Sequence, residues 1–113
     1  MSRNQPLIYL SSPHSNPDPA VREQRFAAVC RHAAAMMRAG KLVFSPIAHT
    51  HPIAQHGELP TGFDYLREYD EAMLDCCEEL HVLMLDGWRE SVGVQAEIKL
   101  AELWGLKIVY CEP

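Results

Sequence analysis

The sequence has no apolar run approaching the roughly 20 residues a membrane-spanning helix requires. Its opening, Met1 to Pro6, is polar, and no signal-peptide hydrophobic segment follows it. These absences argue against a membrane-embedded or secreted protein and lead us to expect a cytoplasmic one. Positive charge is also scarce. Lys and Arg number 10 against 15 Asp and Glu, giving a net charge of -5 with no basic cluster. A chain of this kind is poorly suited to tracking a nucleic-acid polymer. There is no CxxC pair among Cys30, Cys76, Cys77 and Cys111. We expect reduced, mostly buried thiols and no structural zinc. No GxGxxG or GxxxxGK segment occurs, so no redox cofactor or Walker-type nucleotide site is implied, and no cofactor is expected.

What remains is an ordinary globular composition, 48% hydrophobic and 22% charged over 113 residues. This length fits a single domain spanning residues 1–113. Its core must be thin, so a homodimer or higher homo-oligomer is expected.

Short apolar runs alternate with amphipathic stretches. Leu7 to Leu10 reads as a buried strand that opens into Ser11-Ser12-Pro13. Asp18-Pro19 has the form of a helix cap followed by proline at the first helical position. Phe26, Val29, Cys30, Ala33, Met36 and Met37 follow at helical spacing, and Gly40 closes the helix. Lys41 to Phe44 reads as a second strand. Ile47 to Thr61, with three histidines and two prolines, reads as a long loop. A helix is expected from about Phe63 to Cys77, with Leu66, Tyr69, Met73, Leu74 and Cys77 on its apolar stripe. The nearly continuous apolar run from Leu80 to Leu85 reads as a strand covered on both faces. Asp86-Gly87-Trp88 is a turn, Ser91 caps a helix running to about Trp104, and Gly105 ends it. Lys107 to Cys111 is the last strand. This alternation predicts an α/β fold with three layers, Rossmann- or flavodoxin-like, whose mainly parallel sheet has four to five strands flanked by helices. Ligands of such sheets bind beyond the carboxyl ends of the strands. Ser11 to Asn16, Ser45 to His51 and Asp86 to Gly93 are expected there.

The segment Gly87-Trp88-Arg89-Glu90-Ser91-Val92-Gly93-Val94-Gln95-Ala96-Glu97 joins a strand end to a helix start. Ser91 can cap that helix, and the free N–H groups behind it attract anions. Gly93 permits close approach of a ligand to the backbone. Glu97 lies three residues after Val94 and four before Ala101, on a face shared with apolar positions. It is either a solvated helix residue or a carboxylate aimed into a cleft.

This segment resembles the nucleoside 2-deoxyribosyltransferase superfamily, including the 2'-deoxynucleoside 5'-phosphate N-hydrolases, which carry Ser-x-Gly-Val-x-x-Glu after the third strand. Ser91-Val92-Gly93-Val94-Gln95-Ala96-Glu97 matches in type and spacing. Tyr9-Leu10-Ser11-Ser12-Pro13 looks like the family's opening strand and loop. The similarity is greatest to a short bacterial and phage branch with a Gly-Trp-x-x-Ser-x-Gly motif. The resemblance implies Glu97 as nucleophile, Tyr9 near the sugar, and Ser91 with Ser11 and Ser12 at a 5'-phosphate. It also implies an aspartate near the base, for which Asp70 is the better match and Asp75 the competitor. Two departures stand out: Ser12-Pro13 occurs where many relatives have glycine, and the segment 47–61 is longer and richer in histidine.

His14 in the first loop is placed to approach a phosphate. Trp88 either stacks on a base or folds over its turn. His49, His51 and His56 sit on the expected loop without a placed acidic partner, so no metal site is expected and a lid or ligand contact is favoured. His81, inside an apolar strand, is expected to be a hydrogen-bonded core histidine.

The resemblance implies cleavage of the N-glycosidic bond of a 2'-deoxynucleoside 5'-monophosphate through a covalent deoxyribosyl–Glu97 intermediate released by water. The expected partner is thus a small nucleoside or nucleotide. Transfer of deoxyribose to a second base, and nucleotide sensing without turnover, are the alternatives.

Overall fold

The computed structural model describes residues 3–60 and 62–113; Met1, Ser2 and Thr61, the last residue of the expected loop, lie outside the described residues. The elements run β1 (Leu7–Ser11), α1 (Pro19–Arg38), β2 (Leu42–Phe44), α2 (Pro46–Gly57), α3 (Phe63–Asp75), β3 (Glu79–Leu83), α4 (Val92–Leu103) and β4 (Lys107–Cys111). The four strands form one parallel sheet in the order β2-β1-β3-β4. The fold is therefore the expected three-layer α/β arrangement. Among the described residues no helix is long and apolar enough to cross a membrane.

Strand alternation sorts the core into two halves. Tyr9, Leu80 and Val82 face α3 and α4, where they meet Leu74, Val94, Ile98 and Ala101. Leu10 and Leu83 face the other way and meet Val29 and Ala33 of α1. β1 and β3 are interior strands, so side chains on both their faces are covered, and both read as apolar runs. The sequence turns to opposite sides of the sheet between these two strands. This is the switch point beside which an open parallel sheet leaves a crevice.

Local chemistry explains most boundaries. Asp18 accepts a hydrogen bond from Ala20 N–H and Pro19 opens α1. Gly40, at φ 83°, closes the turn that ends it. Ser91 caps α4 by accepting from Val94 N–H at 3.2 Å.

Several expectations fail. The stretch read as a loop is mostly α2. Ser45 caps it by accepting from Ala48 N–H, Pro46 occupies its first turn, and Pro52 is tolerated inside it. Pro52 removes one helical hydrogen bond, but burial of His51 and Ala54 and contact with α1 outweigh that loss. The third strand begins one residue early and ends at Leu83 rather than Leu85. Met37 and Tyr69, placed on apolar stripes, are exposed. Cys77 is buried, but Cys76 is exposed and Cys30 and Cys111 are only partly covered; all four thiols are free.

Candidate active site

A cavity of about 310 Å³ opens at the carboxyl ends of β1 and β3, with Glu97, Asp70, Ser12, His14 and Ser91 in its wall. The strand period assembles its floor. Tyr9 and Ser11 are two residues apart, so both project from the α4 side of β1. The Tyr9 hydroxyl donates to Glu97 Oε2, and the Ser11 hydroxyl donates to Glu97 Oε1 at 2.7 Å. Each carboxylate oxygen is thus held by a hydroxyl donor.

Glu97 is only 5% exposed. Burial pushes its carboxyl up to about 7, and the charge of Asp70 adds to this, while the hydrogen bonds from Tyr9 and Ser11 oppose it. Asp70 reaches the cavity from α3, and burial raises its carboxyl to about 6. Its Oδ1 is buried with no partner. The two carboxyls therefore compete for a proton near neutrality, as coupled acids do. Hydrogen bonding distinguishes them: Glu97 receives two donors, an arrangement made for an anion, whereas Asp70 Oδ1 receives none. Tyr9 is held far above the ordinary phenol range, first by burial and then by the Glu97 charge, so it stays a donor.

The sequence-derived candidates divide clearly. Glu97, Asp70, Ser12, His14, Ser91 and Gly93 share the cavity wall. Ser11 does not line it; the side chain is fully buried and hydrogen-bonded to Glu97. Ser12 follows the strand and lines the cavity, and its buried hydroxyl lacks a partner. Trp88 folds over its turn against the core and Tyr110, with ring centroids 5.7 Å apart, rather than lining the cavity. Asp75 is exposed and outside the cavity, which separates it from Asp70. Gly93 also has a packing reason to be glycine, since a Cβ there would meet the Phe63 ring at 3.0 Å.

Arg25 was not singled out from the sequence. It donates to the carbonyls of Ser15 and Asp86 at 3.0 and 3.1 Å, tying together the loops after β1 and β3, and it lines the cavity. His51 was expected on a loop without an acidic partner. It lies on α2, buried, with Nε2 2.9 Å from Glu23 Oε2. No sequence spacing links these residues; only the packing of α2 on α1 does. His49 meets the Tyr69 hydroxyl at 2.9 Å, and His81, largely buried, pairs with Glu79 at 3.0 Å. Among the described residues no group of three or more His, Cys, Asp or Glu side chains is disposed to hold a metal ion.

No curated protein matches the chain. A family model described as a domain of unknown function, DUF1937, matches residues 6–112. That span takes in all four strands, all four helices and every cavity residue named above, and the chain belongs to the DUF1937 family.

Proposed function

We propose that this protein cleaves the N-glycosidic bond of 2'-deoxynucleoside 5'-monophosphates. The observation that carries the reading is the buried Glu97, oriented by Tyr9 and Ser11 and sharing a cavity with a second carboxyl, Asp70, that has an unpartnered oxygen. Two carboxyls with different environments in one pocket are the equipment of retaining glycosyl transfer.

Glu97 attacks C1' of the deoxyribose as the C1'–N bond breaks, and the electron pair of that bond leaves with the base. Asp70, in the state where it is protonated and Glu97 is ionised, donates its proton to the departing base. Water then attacks C1' of the deoxyribosyl–Glu97 ester and restores the carboxylate. Preference for a 5'-phosphate is supported by the amino end of α4, the Ser91 hydroxyl, the unpartnered Ser12 hydroxyl and the Arg25 guanidinium, all in the same wall. The exposed Val92 and Leu103 of α4, Trp104 just after it and Tyr110 of β4 support a homo-oligomer. Four free thiols suit a reducing compartment such as the cytoplasm.

The test is chromatographic. Each deoxynucleoside and each 5'-monophosphate is incubated with the protein, with and without a free acceptor base, beside Glu97→Ala. Base release by the wild type alone is expected, from monophosphates in preference to nucleosides. A new nucleotide in the acceptor lanes would make the protein a deoxyribosyltransferase. Tight nucleotide binding with no release would make it a sensor and remove the catalytic reading.

A further inference from the structure

A second hydrogen-bonded chain reaches the same cavity and plays no part in the steps above. Glu23 on α1 lies 2.9 Å from His51 Nε2, and His51 Nδ1 lies 2.8 Å from His14 Nε2. Phe26 stacks on the His51 ring at 4.1 Å, with planes 16° apart, and His14 meets that ring edge-on. His51 is thereby held in plane between its two partners, and its residue exposure is only 6%. Gln55 also donates to Glu23 Oε2, at 3.4 Å.

The order of donors in this chain follows from the carboxylate. A carboxylate only accepts, so His51 Nε2 carries a proton. A neutral His51 then accepts at Nδ1, so His14 Nε2 must donate to it. A neutral His14 is left with its lone pair on Nδ1. We propose that Glu23, His51 and His14 form a relay that makes His14 Nδ1 a proton acceptor for a hydroxyl group in the cavity, either the sugar's own or that of the water resolving the Glu97 adduct. The assignment of that hydroxyl rests on the glycosyl-transfer reading; the relay itself does not.

The surroundings of His14 explain why a relay is needed. Burial, His51, Arg22 and Arg25 together hold its imidazole down to about 4, with Glu23 opposing them weakly. A lone imidazole in that setting keeps a proton poorly. Through the relay the positive charge need not remain there. Water's oxygen bonds to C1' as the C1'–O bond to Glu97 breaks, and that bond's electron pair returns to Glu97. Water's proton passes to His14 Nδ1, the Nε2 proton passes to His51 Nδ1, and the charge ends on His51 beside the Glu23 carboxylate, until exchange with solvent takes that proton off His51 and returns one to Asp70. His14 touches the reacting hydroxyl; His51 and Glu23 are positioning residues.

The first arm of the test needs no substrate. Long-range 1H–15N spectra of the full-length, histidine-labelled protein at neutral pH should show His14 protonated on Nε2 with a bare Nδ1, and His51 protonated on Nε2. Glu23→Gln, at a side chain 57% exposed and so safe for folding, should mix the tautomers of both rings. The second arm uses 2'-deoxynucleoside 5'-monophosphates. If the hydroxyl is water's, His14→Gln should keep the first turnover of base release and lose about 100-fold in steady-state kcat. A raised KM with kcat retained would assign the sugar hydroxyl. Glu23→Gln should show a smaller loss of the same kind. A wild-type His14 protonated on Nδ1, or a Glu23→Gln protein with wild-type tautomers and kinetics, would overturn the relay. If no protein releases base, the glycosyl-transfer reading fails while the spectra still decide the relay.

Discussion

The α4 wall and the α3 wall of the cavity each supply one buried carboxyl, and the fold treats the two oppositely. Glu97 sits over β1, and two strand hydroxyls satisfy it. Asp70 is almost as deeply buried, at 9% against 5% exposure, yet one of its oxygens has no partner. An unmatched buried polar atom costs stability on the order of 1–3 kcal/mol. A fold tolerates that cost where a ligand will provide the match. On the proposed reading, the contrast separates a group already organised for its task from one waiting for its partner.

The comparison breaks most sharply on activity. Glu97→Ala should lower base release by on the order of 10⁴-fold or more, since it removes the attacking atom. Asp70→Asn should lower it by about 10²-fold, the usual worth of a general acid. A leaving group that needs no protonation, such as 4-nitrophenolate on deoxyribose 5-phosphate, should restore most of the Asp70→Asn loss and none of the Glu97→Ala loss. Equal losses with both substrates would remove the division of roles.

Tyr9→Phe sharpens the difference by making Glu97 resemble Asp70. Its hydroxyl lowers the Glu97 carboxyl, so its removal must raise it further. The acid limb of the rate profile should move upward by about one pH unit. An unmoved limb would mean that this bond does not set the ionisation of Glu97.

Stability should follow the same logic in reverse. Both carboxyls are raised on folding, to about 7 and about 6, by burial first. The folded chain then binds these protons more tightly than the unfolded chain. The resulting stabilisation is fully present below the ordinary carboxyl range and is lost as pH rises through the folded values. Thermal denaturation of the wild type should show a loss of stability between about pH 4.5 and 7 from these groups. Glu97→Gln should flatten that slope and raise Tm at the alkaline end relative to wild type.

The smallest effect concerns the two adjacent serines. Ser11→Ala removes a buried partner of Glu97 and should destabilise the apo protein by about 1–2 kcal/mol. Ser12→Ala deletes an unpartnered hydroxyl, so it should leave stability unchanged or slightly improved while raising KM for monophosphates. Denaturant titration of both variants checks the sign.

The sequence announced these features unevenly. The capping serine and the helical spacing placed Glu97 in the second turn of α4 but left it either solvated or aimed into a cleft; the resemblance of the Ser91 to Glu97 segment singled it out. The joint grip of Tyr9 and Ser11 on it was readable in principle from the two-residue period of β1, which puts both on one face. The burial of Asp70 was harder to read, because it depends on how α3 packs through Leu74 against Tyr9 and Val94, which covers Asp70 while leaving neighbouring Tyr69 exposed. α2 was misread because proline and histidine look like loop residues until α1 offers a surface to cover. The pairing of His14, His51 and Glu23 has no local signal at all; it exists only once the β1 loop, α2 and α1 converge.

Gly93 carries no functional group, yet its missing methyl sets how closely the first turn of α4 approaches Phe63 at the start of α3. Asp70 and Glu97 ride on those two helices. The spacing of the two carboxyls is therefore inherited from a hydrocarbon contact, and a lineage could retune it by one carbon atom without altering any polar residue.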